Sequence, residues 1–438
     1  MNYKVDMTAA QDPSRGYRLL PAPPVCGPRQ LTVTIRRPHG AVNATIMMWS
    51  DDSRILAQPR THSYEAELSA KVEDIAGLAA QLLSRWQEFV EYQPVGREHR
   101  PLEVAPHTNL TDLSRRPRAE LLAQVTDLAR AGAHLLKQLL AGSDPELVRL
   151  RRHLLGVLER QDLRIRFDSD LDIPWPMLAL DTGRALAGGR LTADPFSLFL
   201  GWRHQIETAK KSYLTDYWYV SQRTEPVSSL NADEDLMSVA GAAEVQALLD
   251  ERTDLTERWY RSELLEDLAL QDLDEDIMYF FCHGQYTAQG DRTWLSLSLS
   301  DAPKFNATML DQYRAPHTEA NAEDAEVIFF HPLVLLNVCF AGAPATVGFA
   351  DLAGTFIKHG ALGVLAPQIA MPRVVGAEFA LRFLTRYICG GKTAGAALLK
   401  TVRWFTKNHR NPLPLAYSLF CGLDSRLAPV ARKGADAR

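Results

Sequence analysis

The stretch IMYFFCHG, residues 277–284, decides how the chain is read. Ile277 to Cys282 follow one another without a polar interruption, and aromatic rings make up half of them. Such a run is too short for an ordinary buried helix. It also lacks the alternation of a strand with one wet face, so it reads as a strand covered on both sides, as in parallel sheets. It stops on His283 and Gly284. A second run of this kind, LVLLNV at 333–338, stops on Cys339. On either side of these strands the pattern repeats. YWYVS (217–221) is a strand candidate, SVAGAAEVQALLD supports a helix over roughly 238–250, and WLSLSLS (294–300) alternates as a half-buried strand does. GFADLAGTFIKHG (348–360) is a helix stopped by Gly360, and LGVLA (362–366) is the next strand. Helices near 373–388 and 393–408 lead to a closing strand, AYSLFC (416–421). Short buried strands alternating with helices imply an α/β fold, a mostly parallel sheet flanked by helices.

The flanking regions divide the chain further. Residues 1–95 hold a lead-in, with LPAPPVCGP extended by its prolines, and a small N-terminal α+β unit. In that unit LTVTI (31–35) and ATIMMW (44–49) flank a turn at Pro38–Gly40. Val72, Ile75, Ala79, Leu82, Trp86, Phe89 and Val90 recur at helical spacing and mark one buried face of a helix over 71–92. Polar residues 96–116 read as a linker. Residues 117–212 begin with a helix over about 117–141 and a second opened by SDPE (143–146), a capping-box pattern with Ser143 as N-cap. The strand LRIRF (163–167) follows. Residues 213–425 carry the α/β alternation, and 426–438 form a tail.

The 438 residues are 46% hydrophobic and 23% charged, an ordinary globular composition with a large core. With 48 basic and 53 acidic side chains the net charge is −5, which gives no footprint for nucleic acid or an anionic membrane. The five cysteines are scattered, with no C-x-x-C pair, so neither a disulfide framework nor a structural zinc site is expected. The N-terminus has no secretory pattern. The longest apolar run, VIFFHPLVLLNVCFAGA, is broken by His331, Pro332 and Asn337 and reads as a buried strand, not a membrane span. A cytoplasmic protein is the expectation.

In open α/β sheets reactive groups gather at the carboxyl ends of the strands. His283 and Cys339 each follow a buried strand directly and stand 56 positions apart, histidine first, the order and approximate spacing found in caspases. A thiol needs its proton removed to become a nucleophile, and an imidazole can take that proton or protonate a leaving amine. Gly284 allows close backbone approach, and the N–H groups of Gly284 and Cys339 could stabilise a tetrahedral oxyanion. Spacing alone leaves the plain alternative open, an inert core cysteine and a structural histidine. No cofactor is expected. GGKT (390–393) resembles part of a phosphate loop, but Arg386 stands where the first glycine belongs and the stretch lies between helices. Gly390–Gly391 reads as a helix stop and Thr393 as the next N-cap. Cys282 and His283 are neighbours on a strand and point to opposite faces, so they are no metal pair. His331 and His359 read as structural or exposed.

IMYFFCHG, WLSLSLSD, LVLLNVCFAGAP and GFADLAGTFIKHGALGVLAPQ resemble, in this order, the CHAT peptidases, caspase relatives also similar to separase. LDIPWPML and GAAEVQALLD upstream, and GKTAGAALLKTVRWF and AYSLFCG near the end, resemble further motifs of that family, so the resemblance spans about residues 117–425. It implies a caspase-like fold and a cysteine endopeptidase whose His–Cys dyad falls on His283 and Cys339, with Gly284 in the oxyanion hole. It also implies a degenerate pseudo-caspase lobe over 117–212 and a protein substrate cut at specific sites. A partner or signal would switch the enzyme on, in regulated proteolysis or antiviral defence, and the N-terminal unit is where such a partner would dock. The chain departs from the family at Ala366, where a tryptophan is common, and at Pro176, where glutamate is common. LAPQIAMP (365–372) holds no acidic residue for a basic side chain of the substrate, which leaves Gln368 and Asp301 as pocket candidates. The alternative from another class is an inactive scaffold on the same fold.

Overall fold

A computed structural model describes residues 29–56, 63–94, 105–181, 194–210, 213, 220–221, 223, 225–289, 292–302, 304–324, 330–339 and 351–427. The chain opens with β1 (Leu31–Arg36), β2 (Thr45–Trp49), β3 (Ser63–Glu67) and α1 (Val72–Glu91). Next come α2 (Arg118–Leu139), α3 (Pro145–Leu158), β4 (Arg164–Ser169), α4 (Leu200–Arg203) and β5 (Gln205–Ala209). They are followed by β6 (Val220–Ser221), β7 (Val227–Ala232), α5 (Ala242–Arg252), β8 (Asp254–Arg258), α6 (Arg261–Leu268) and β9 (Ile277–Phe281). The rest consists of β10 (His283–Gln289), β11 (Arg292–Ser298), β12 (Phe305–Asn306), α7 (Ala307–Asp324) and β13 (Leu333–Leu336), then α8 (Leu352–Lys358), β14 (Gly363–Pro367), α9 (Arg373–Leu384), α10 (Ala394–Asn408), β15 (Tyr417–Cys421) and β16 (Arg426–Leu427).

Eleven strands form one sheet in the order β3-β2-β1-β4-β5-β15-β14-β13-β9-β7-β8. Its pairings are parallel except β1–β2, β2–β3 and β14–β15. The fold is therefore α/β, a mixed and mostly parallel sheet flanked by helices. The strands of the small N-terminal unit continue this sheet, because β1 pairs in parallel with β4.

Alternation along the strands explains the two layers. Ile277, Tyr279 and Phe281 of β9, with Leu333 and Leu335 of β13, pack into the larger apolar cluster beneath α1, α2, α5, α9 and α10. Met278, Phe280 and Cys282, with Val334, Leu336 and Val338, point the other way into a second cluster with α6, α7 and α8. A strand that must fill two apolar layers carries apolar residues at every position, which is what makes IMYFFC continuous.

Several local readings shift. The cap of α3 is Asp144, not Ser143: its carboxylate accepts from the N–H groups of Glu146 and Leu147, and Pro145 occupies the first helical position. Proline there has no N–H to satisfy and a preset φ, which fixes the helix start one residue later than the capping-box pattern placed it. Thr393 does cap α10 through Ala396 N–H, and Gly391 takes a left-handed φ of 54°. Of the strand read at 217–221, only β6 lies within the described residues, and it pairs with β16 outside the large sheet. The alternating stretch at 294–300 does form a strand, β11, but in a separate antiparallel sheet between β10 and β12.

Candidate active site

The parallel ladder fixes where the two chemistry-bearing residues emerge. Leu333 pairs with Ile277 and Leu336 with Phe280, and Asn337 N–H donates to Phe280 O at 2.8 Å beyond the last strand residue. Cys339 and His283 each stand three positions past the Leu336–Phe280 pair, so the chain brings both to one carboxyl edge of the sheet. After a bend at Cys282, His283 begins β10 and pairs with Ser298 of β11, which ties the histidine to a hairpin.

Gly284 fits this edge because it has no side chain. A Cβ there would stand 2.6 Å from Cys339 O, 3.4 Å from Cys339 N and 2.5 Å from Val338 Cγ1. The backbone of residue 284 therefore lies directly against the backbone that carries the thiol.

Cys339 is partly buried, and its Sγ lies 3.9 Å from Met371 O, toward which the thiol donates. Burial pushes the thiol pKa up, and the positive charge of Arg373, the first residue of α9, pulls against it. His283 is half-buried, and its ring makes no hydrogen bond with any described residue, Cys339 included. The structure thus brings histidine, glycine and cysteine backbones together at one edge, with the thiol turned to the segment before α9. Cys282 is buried, and burial raises its thiol far above the ordinary range. His359 is buried against Asp311 at 2.8 Å, and His331 Nδ1 lies 3.3 Å from Gly360 O.

The two pocket candidates have other partners. Gln368 is buried at the end of β14; its N–H donates to Ala416 O at 2.9 Å and its side-chain amide to Ser418 Oγ. Asp301 Oδ1 accepts from the N–H of Arg261 at 3.0 Å, at the start of α6.

A polar layer leads up to the thiol. Asn337 is buried, accepts from Tyr417 OH at 2.5 Å and donates to Tyr279 OH at 3.3 Å. Tyr417 stacks on Phe379 of α9 with centroids 3.7 Å apart. The network ties β9, β13 and β15 together two residues before Cys339. Its signal was present, since Asn337 is the one polar residue in LVLLNV, and a buried amide needs partners. The segment before α9 and the first turn of that helix are held from the far layer: Ala370 N–H donates to Gln87 Oε1 of α1 at 3.2 Å, and Thr111 Oγ1 donates to Val374 O at 3.3 Å.

Among the described residues no group of three or more His, Cys, Asp or Glu could hold a metal ion, and no helix is long and apolar enough to cross a membrane.

No family model matches the chain. Over 162 residues, 36% of its length, it is 26% identical to a protein of Vitiosangium sp. (strain GDMCC 1.1324) described as a "Probable protease", and it spans 20% of that curated relative. Among solved structures it is similar to a chain of the Saccharomyces cerevisiae separase–securin complex, with a TM-score of 0.46 and 11% identity over 91% of this chain and 30% of that one. It is also similar to the Arg-specific cysteine proteinase gingipain R, with a TM-score of 0.40 and 11% identity over 69% of each chain.

Proposed function

We propose that this chain is a cysteine endopeptidase in which Cys339 is the nucleophile and His283 the proton carrier. The observation that carries the reading is the shared strand register, with Gly284 packed against Cys339 at the same edge. His283 takes the thiol proton, and the Cys339 sulfur bonds to a peptide carbonyl. The N–H groups of Gly284 and Cys339 receive the oxyanion, and His283 gives its proton to the departing amine. Water, deprotonated by the same imidazole, then releases the acyl group from sulfur. The sequence resemblance and the description of the curated relative as a protease support the same class. The pocket roles read for Gln368 and Asp301 would require each to give up its present partner.

The resting arrangement fits an enzyme that is switched on. A thiol turned to Met371 O and raised by burial is neutral, and the reaction requires it to reach the imidazole. The Gln87–Ala370 bond joins the N-terminal helix to that same segment, so a protein partner docking on the N-terminal unit could release it. Regulated proteolysis, defence included, is the setting the resemblance implies. The same neutral thiol favours a second reading, an inactive scaffold on this fold.

Cleavage of a diverse peptide library separates the two. Wild-type protein, with and without candidate partners, should cut at a defined residue, and Cys339→Ala and His283→Ala should abolish cutting. No cutting under any condition supports the scaffold.

A further inference from the structure

We propose that a cavity far along the chain from His283 and Cys339, between the start of α2 and the end of α10, binds a phosphorylated small molecule. The cavity holds about 700 Å³, within the range of small-molecule sites. Arg118, Arg403, Lys407 and Arg410 line it with Trp202, and the sole carboxylate among its described lining residues is Asp194.

The charges are unequal in a telling way. Arg403 is committed: it donates to Asp162 Oδ1 at 2.7 Å and to Trp202 O at 2.9 Å, and it lies over the Trp202 ring at 4.9 Å. Asp194 accepts from Phe196 N–H at 3.2 Å. The side chains of Arg118, Lys407 and Arg410 make no hydrogen bond or ion pair with the described residues. Three cations line one cavity against a single described carboxylate, Asp194; they repel one another, and an anion relieves that repulsion.

Two of these positions run against local preference. Arg118 is the first residue of α2, where the helix dipole disfavours a cation and the first N–H groups have no side-chain cap. Those N–H groups are themselves anion donors. Arg410 lies just past the end of α10 with φ of 48°, the left-handed position where glycine is most comfortable. Lys407 alone is accounted for by the dipole at a helix C-terminus. Phosphate oxygens match this donor set, with guanidinium forks, an ammonium and helix N–H groups. Leu122, Pro195, Phe196 and Trp202 give the cavity an apolar lining for the organic part.

The test is calorimetric titration of the full chain with inorganic pyrophosphate and with ATP, without divalent cations, at low and at physiological salt. Saturable binding that weakens with salt is expected. Arg118→Gln and Lys407→Gln should each lower affinity about tenfold or more. Arg410→Gly should lower affinity while leaving the thermal midpoint unchanged or higher, which separates lost binding from lost folding. Tighter binding of ATP than pyrophosphate would assign the organic moiety to the cavity, and equal binding would assign the phosphates alone. Absence of saturable binding by either probe, or binding indifferent to all three substitutions, overturns the proposal. Because it does not rest on the peptidase reading, it stands or falls separately.

Discussion

Replacing Gly284 by alanine puts the geometry of the site under direct strain. The new methyl would stand 2.5 Å from Val338 Cγ1 and 2.6 Å from Cys339 O. Non-bonded carbon contacts are comfortable at about 3.5–4.0 Å, so the overlap is on the order of 1 Å. Val338 is fully buried in the second apolar cluster, and Cys339 O is backbone, so neither has an easy retreat. Relief requires the start of β10 to move away from Cys339. Overpacking of this kind costs about 1–3 kcal/mol of stability. A displacement near 1 Å in a catalytic array costs roughly a hundredfold in rate. The assay pairs urea unfolding with cleavage of whichever peptide the wild type cuts. Both readouts should fall, and the rate should fall by more than lost folding explains. A variant as stable and as active as wild type would refute the contact itself. Lost stability with unchanged rate would leave the packing intact but remove Gly284 from the oxyanion site.

Further predictions concern the frame around the site. Gly77→Ala, at an exposed position in α1 where an added Cβ meets nothing within 4 Å, should raise stability by about 0.5–1 kcal/mol in the same urea assay. Tyr417→Phe removes the hydroxyl that Asn337 Oδ1 accepts and should cost about 1–3 kcal/mol, measured by urea unfolding. The buried pair Arg258–Glu275, at 2.5 Å, should show the asymmetry of buried charges. Glu275→Ala should cost about 3–5 kcal/mol, and the apolar double replacement Arg258→Met with Glu275→Leu considerably less. Burial holds His107 and His204 down at about 4, against about 6.5 for a free imidazole. Their folded-state pKa values are depressed, so the unfolded chain takes up protons first as pH falls. The stability they contribute near neutrality is lost between about 6.5 and about 4, on the order of 2 kcal/mol per residue by pH 5. Unfolding free energies at pH 7 and pH 5 check this, and His204→Asn should shrink the difference.

The strands next to the site were legible because β9, β13, β14 and β15 are apolar on both faces. β5 and β7 were not, because QIETA and VSSLNA carry polar residues inside the sheet. Glu207 of β5 is buried against Arg29, and Asn231 of β7 accepts from Arg258, partners that lie far away in sequence. The hairpin β10–β11 was half visible: the alternation of Leu295 and Leu297 marked a strand, but nothing local announced that Ser296 between them would be buried too or that the strand would leave the large sheet. At the site, His283, Gly284 and Cys339 stood out because each follows an apolar run. The segment around Met371 and the Gln87 tether are tertiary, set by helices packing across the sheet edge, and no spacing in the chain encodes them; of the Asn337–Tyr417–Tyr279 layer only Asn337 stood out, as the one polar residue in LVLLNV.

Site-resolved labelling with a peptidyl electrophile shows whether His283 serves Cys339. Cys389 is the exposed cysteine among those described, and Cys339 is partly buried, so exposure alone predicts that Cys389 reacts first. If His283 serves Cys339 the order is reversed: Cys339 is labelled fastest in the activated protein, and His283→Ala slows that labelling at least a hundredfold while Cys389 is unaffected. Preferential labelling of Cys389, with Cys339 indifferent to the loss of His283, would contradict it.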